Sequence, residues 1–136
     1  MLGEMLREKN GWVYGVEASY TQYSDSGIVA ISFGCDRSNL EKCKCGMWKV
    51  ISGLQDKNLS ESRLKAAKKQ LIAQLAVSSD NGETQCLSMG KSLLAYGTIF
   101  TDGHNVKAIE AVSAAQLRDA ASRIFNPDKI SSLIFL

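Results

Sequence analysis

WVYGVEASYTQYSDSGIVAISFGC, residues 12–35, decides the fold. Trp12, Tyr14, Val16, Ala18 and Tyr20 alternate with Val13, Gly15, Glu17, Ser19 and Thr21. A period of two sends alternate side chains to opposite faces, so this stretch reads as a strand with one face buried. Gly27 to Cys35 is rich in β-formers, with Ile28, Val29, Ile31 and Phe33. Between the two lies Ser24-Asp25-Ser26-Gly27, a compact turn signal. The pair predicts a long antiparallel hairpin. A lone hairpin is only marginally stable, so this one must join a wider sheet or pack under helices.

Upstream, Leu2, Met5 and Leu6 recur at helical spacing and predict the end of a helix at about Lys9, stopped by Asn10-Gly11. Downstream of Asp36 the pattern turns helical. Ser38 with Glu41 fits a capping box, and Leu40, Met47, Trp48, Ile51 and Leu54 form an apolar stripe. Asp56-Lys57-Asn58 breaks that helix and Ser60 caps the next, which ends near Ser78–Gly82. A third helix is expected from about Glu83 to Tyr96, a short one over Asn105–Ala111, and a well-capped one starting at Ser113 with Gln116. Asn126-Pro127-Asp128 closes it, and Ile130 to Leu136 reads as a short returning strand. Strands and helices come in blocks, so the class is α+β: an antiparallel hairpin plus a returning C-terminal strand, packed against several helices.

Length and composition narrow the function. At 136 residues the chain supports one hydrophobic core and not two comfortable domains. A net charge of +2 does not point to nucleic acid, and Lys65, Lys68 and Lys69 read as a solvated helix face. No apolar run approaches the ~20 residues of a membrane span, and the charged N-terminus lacks a signal-peptide core. Cys35, Cys43, Cys45 and Cys86 read as reduced and mostly core-filling, which leans towards a cytoplasmic, reducing compartment. Cys43 and Cys45 sit two apart on a helix, roughly 200° around its axis, so they do not share a metal. The single histidine, His104, reads as a surface or capping residue, since a hydrolytic zinc site needs at least two histidines or an equivalent cluster. Neither a phosphate-binding glycine loop nor a Gly-x-Ser-x-Gly elbow occurs.

One corner carries chemistry. Arg7 ends the first helix and Tyr14 opens the hairpin. A guanidinium fork and a phenol held at a helix–turn–strand corner suit carbonyl oxygens or a developing oxyanion. From spacing alone, an Arg paired with a carboxylate and a half-buried Tyr is the stronger reading.

Leu6-Arg7-Glu8-Lys9-x-Gly11-x-x-Tyr14 resembles the second-domain motif of the pitrilysin/insulinase family of zinc metallopeptidases, which includes mitochondrial processing peptidase and the core proteins of the cytochrome bc complex. The likeness continues through Tyr23-Ser24-Asp25-Ser26-Gly27, Phe33-Gly34-Cys35-Asp36, Leu59-Ser60, Lys65-Ala66-Ala67-Lys68, Met89-Gly90-Lys91-Ser92 and Phe125-Asn126-Pro127-Asp128-Lys129. Trp12 departs from it, being bulky where the family is often small or aliphatic.

The resemblance implies that residues 1–136 are a single partial domain, the C-terminal portion of the second, inactive domain of a two-domain peptidase. Arg7 would then grip a peptide carbonyl, and Tyr14 would donate to the scissile carbonyl. This chain would bind no cofactor, the zinc belonging to the partner domain with its His-x-x-Glu-His motif. Its partners would be peptide substrate and that zinc domain or subunit. A structural subunit without peptidase activity is the alternative, and an unrelated α+β binding module a third. The resemblance also places strands and a helix start upstream of Met1, making Met1 a cloning, genomic or proteolytic boundary. An unpaired apolar sheet edge is expected to make the isolated chain self-associate into homo-oligomers.

Overall fold

A computed structural model describes residues 1–135. The chain divides into two compact units, Met1–Asn58 with Arg118–Leu136, and Leu59–Leu117.

The first unit is built on the hairpin. Strand β1 (Gly15–Gln22) pairs antiparallel with β2 (Gly27–Gly34), in a register that sets Val16 opposite Phe33, Ala18 opposite Ile31 and Tyr20 opposite Val29. These apolar pairs share one face, as the alternation requires. Beyond the strands, the Tyr23 N–H donates to the Ser26 carbonyl at 2.9 Å, leaving Ser24-Asp25 as the loop.

Helix α1 (Leu40–Asp56) follows a 3-10 turn over Arg37–Asn39. The expected Ser38/Glu41 capping box is not formed. The 3-10 turn takes up Ser38, Asn39 becomes the N-cap without a side-chain bond, and Glu41 pairs with Lys44 at 2.9 Å. At the far end of α1, Gln55 Nε2 donates to the carbonyl of Phe125 at 3.1 Å, tying down a helix terminus that would otherwise hold an unsatisfied acceptor.

The second unit is helical. Helix α2 (Glu61–Ser79) is capped by Ser60, α3 (Gly82–Tyr96) by Asn81 accepting from the Thr84 N–H at 3.0 Å, and α4 (Asp102–Ala111) by Thr101. Helix α4 begins three residues earlier than expected, because Thr101 caps it and brings Asp102-Gly103-His104 into its first turn. Gly97 takes φ +68 and closes α3, its N–H bonding Leu93. Helix α5 (Ala114–Ile124), which starts in the second unit and continues past Leu117 into the residues of the first, opens with the predicted capping box in full. Ser113 N–H donates to Gln116 Oε1 at 2.8 Å and Gln116 N–H to Ser113 Oγ at 3.2 Å.

The α+β class holds, with a correction at its end. Residues 130–135 form no strand, and the sheet of the described residues is β1–β2 alone. A β-former run becomes a strand only where it finds a ladder partner, and among the described residues none pairs with this one. Leu136, the last residue of the expected strand, lies outside the described residues.

The core is small: among the described residues Leu6, Val13, Cys43, Ile51 and Ala121 are the buried hydrophobics. Leu6, Val13 and Cys43 cluster with Trp12, Val16, Phe33 and Cys35 packed around them. Gly46 of α1 lets the chain before the hairpin approach, since a Cβ there would meet Leu6 Cδ2 at 2.8 Å and Trp12 at 3.3 Å. Gly53 of the same helix faces open space. Replacing a helical Gly by Ala gains ~1 kcal/mol in propensity, while overpacking a filled core costs ~1–3 kcal/mol. Gly53→Ala is therefore expected to raise the thermal midpoint by a few degrees and Gly46→Ala to lower it. Calorimetric scans of the two variants check this, and a stabilising Gly46→Ala would refute the packing account.

Candidate functional site

The corner begins with a π-turn over Glu4–Glu8, closed by the Lys9 N–H on the Glu4 carbonyl at 3.0 Å. An ion pair at 2.8 Å between Lys9 and Glu4 spans the same turn. Gly11 then takes φ +61, the left-handed value that ends a helix. Its N–H bonds the Arg7 carbonyl and the Trp12 N–H bonds the Leu6 carbonyl, both at 2.9 Å. These two bonds follow the Schellman pattern, each one residue wider. The extra residue is the one a π-turn inserts.

That insertion sets which side chains face in. Leu6 is fully buried, and Arg7, next along, is exposed. Arg7 makes no ion pair among the described residues, unlike the carboxylate-paired arginine that spacing alone favours.

A second irregularity acts at Tyr14. Its N–H donates to the Gly34 carbonyl at 2.8 Å, yet Gly34 is already the ladder partner of Gly15. Two residues thus oppose one, which is a β-bulge. The bulge shifts the alternation by one: Val13 is buried before it and Val16 faces inward after it, while Tyr14 stands 72% exposed. The strand therefore starts at Gly15 and not at Trp12, and Tyr14 does not share the inward face of Val16. The Tyr14 phenol donates to Asp36 Oδ1 at 2.7 Å. That bond and the carboxylate's charge raise the phenol's pKa above its usual value near 10, so Tyr14 stays a proton donor through the neutral range.

Arg7 and Tyr14 thus both project from one corner into solvent, with no hydrogen bond or ion pair joining them among the described residues. Asp36 was not singled out from the sequence. The signal was present in the hairpin register, because running the ladder one step past Gly15 and Gly34 brings Tyr14 beside Cys35-Asp36.

The other chemistry-bearing residues lie elsewhere. His104 is exposed in the first turn of α4, stacked on Phe100 with centroids 4.7 Å apart. Among the described residues no group of three His, Cys, Asp or Glu side chains could hold a metal ion. All four cysteines are free, but only Cys43 is buried and Cys35 half-buried; Cys45 and Cys86 are exposed, so core-filling describes only part of the set. No described helix is long and apolar enough to cross a membrane. Burial, reinforced by the neighbouring Cys35 thiol, pushes the Cys43 thiol up to about 11.

The chain is similar to several known proteins. The family model described as the peptidase M16 inactive domain matches residues 2–71. The chain is 23% identical over 129 residues to YmxG of Bacillus subtilis, described as a zinc protease, covering 95% of this chain and 32% of that protein. It is 25% identical over 132 residues to the beta subunit of mitochondrial-processing peptidase from Caenorhabditis elegans, covering 95% and 29% respectively. A conserved protein of Enterococcus faecalis superposes with a TM-score of 0.73 at 20% identity, covering 90% of this chain and 28% of that one. The chain therefore spans about a third of the length of these relatives.

At pH 8, on the order of one Cys43 thiol in a thousand is ionised if its pKa stays near 11. A thiol-reactive disulfide reagent is accordingly expected to label Cys45 and Cys86 within minutes and Cys43 only after denaturation. Mass spectrometry of the labelled peptides reads the order, and early Cys43 labelling would contradict its burial.

Proposed function

The chain belongs to the peptidase M16 inactive domain family, and from that premise we propose that it is the substrate-binding, non-catalytic C-terminal portion of a zinc metalloendopeptidase. Residues 1–136 would be part of the second domain, acting with a zinc-bearing partner domain or subunit that supplies the metal and the activated water. The observation that carries this reading is the matched corner with its two exposed donors. Arg7 and Tyr14 lie within the matched residues 2–71, and both face solvent.

Their chemistry suits a peptide. The Arg7 guanidinium offers several N–H donors in a fixed fork, enough to hold a peptide carbonyl. The Tyr14 phenol offers one donor, kept protonated by its neighbour, to a carbonyl that gains negative charge as water attacks. In this assignment the chain binds and orients, and the metal-assisted step belongs to the partner domain. A cytoplasmic site of action is part of the same proposal.

In the full-length protein, Tyr14→Phe is expected to lower kcat/KM for peptide cleavage on the order of a hundredfold, the scale of a lost oxyanion donor. Arg7→Ala should act mainly on KM. Bound zinc, read by metal analysis, should be unchanged in both. Undiminished turnover in both variants would sink the substrate-binding role, whereas no zinc-dependent cleavage by the unaltered full-length protein would favour the structural-subunit reading.

We also propose self-association of the isolated chain. The described sheet has two strands, so the outer edge of each meets no further strand among the described residues, and Ile28 and Tyr20 are exposed. Light scattering is expected to show a mass that grows with concentration, and a monomer at high concentration would contradict it.

A further inference from the structure

Tyr14 has one proton to donate, and here it is already given away. The phenol donates to Asp36 Oδ1 at 2.7 Å. A phenol is a single donor with lone pairs that only accept, so while bonded to this carboxylate it cannot also donate to a peptide carbonyl.

Asp36 reaches Tyr14 at the expense of another role. It occupies the N-cap position of the 3-10 turn Arg37–Asn39, with extended backbone at φ −65 and ψ 147. An aspartate there ordinarily accepts from a backbone N–H of the first turn. No such side-chain bond is made. The turn closes instead through the Asn39 N–H on the Asp36 carbonyl at 2.9 Å, which leaves the carboxylate free to turn across the hairpin end. The bulge brings its target there, with the Tyr14 N–H held on Gly34, two residues before Asp36.

We infer that Asp36 is a positioning residue for Tyr14: it holds the phenol's proton in the peptide-free chain, and an incoming peptide carbonyl takes over that hydrogen bond by displacing the carboxylate. This rests on the reading of Tyr14 as a substrate-binding residue. Peptide binding then exchanges one acceptor for another, and Tyr14 contributes only the difference between them. A carboxylate is a stronger acceptor than a neutral carbonyl, so Asp36 lowers the affinity for peptide while fixing the phenol's direction. The site is solvated, Tyr14 being 72% exposed, so the effect is a factor of a few.

The test uses the full-length protein, with zinc removed by chelation so that peptide binds without being cleaved. Fluorophore-labelled decapeptides of mixed sequence serve as the probe, read by anisotropy. Asp36→Asn keeps the size of the side chain and offers a weaker, neutral acceptor. It is expected to bind the probe about threefold more tightly than the wild type. Asp36→Asn should also bind more tightly than the double variant, which lacks the freed donor, and the double variant should match Tyr14→Phe alone. With carbon-13 at the tyrosine Cζ, the resonance missing from Tyr14→Phe should move in Asp36→Asn, and its alkaline titration midpoint should fall. Weaker binding by Asp36→Asn, or an effect of that change that persists in the Tyr14→Phe background, would overturn the inference alone. Equal binding by Asp36→Asn and by the double variant would show that even a freed Tyr14 donor adds nothing, and would overturn the substrate reading and the inference with it.

Discussion

The seating of Leu6 against Gly46 is the contact on which the rest of the first unit depends. Leu6 is one of the two largest fully buried side chains, and the space it fills exists because position 46 has no Cβ. Truncating such a side chain typically costs ~2–5 kcal/mol, a large share of the stability of a domain of this size. More than stability hangs on it. Leu6 pins the turn before the hairpin, and Val13, buried in the same cluster, pins the chain just after it. Arg7 and Tyr14 are each the residue directly following one of those two anchors. Their exposure follows from the burial of their neighbours.

Two local irregularities tune the corner, and each inserts one residue. The π-turn over Glu4–Glu8 rotates the helix end so that Leu6 faces α1 and Arg7 faces out. The bulge at Tyr14 and Gly15 opposite Gly34 turns Tyr14 out between two inward-facing valines. Such insertions cost hydrogen-bond regularity, and they concentrate where a side chain has to be re-aimed. Two of them flank the five-residue stretch Lys9–Val13, and together with the buried Leu6 and Val13 they aim Arg7 and Tyr14 outward.

The sequence made legible whatever depends on local chemistry. The two-residue loop between β1 and β2, the Ser60 cap, the reciprocal Ser113/Gln116 box and the Gly97 stop are all short-range devices, and each stands where its residues announce it. What it hid depends on partners distant in the chain. Alternation from Trp12 onward suggested a strand three residues too long, because a bulge leaves no mark in a period-two pattern until its partner Gly34 is known. Residues 130–135 have strand composition and pair with no strand among the described residues. The Ser38/Glu41 box satisfied the spacing rule but lost its residues to a 3-10 turn. Asp36 showed the same limit from the other side. Its position before a helix marks it as a cap, and only the hairpin register reveals the phenol it meets instead.

The distribution of burial bears on what kind of object this chain is. Across residues 59–117 no described side chain is buried, and Leu71, Val77, Leu87, Leu93 and Leu94 are all more than half exposed. Single exposed apolar residues need no explanation, but a helical unit with none buried has not removed enough apolar surface from water to offset the entropy of ordering it. The first unit has a core only around Leu6, Val13 and Cys43, with Ile51 and Ala121 beyond it. Relatives about three times as long carry this stretch with additional polypeptide around it. The Arg7–Tyr14 corner sits on the part of the chain that does close on itself, beside buried Leu6 and Val13.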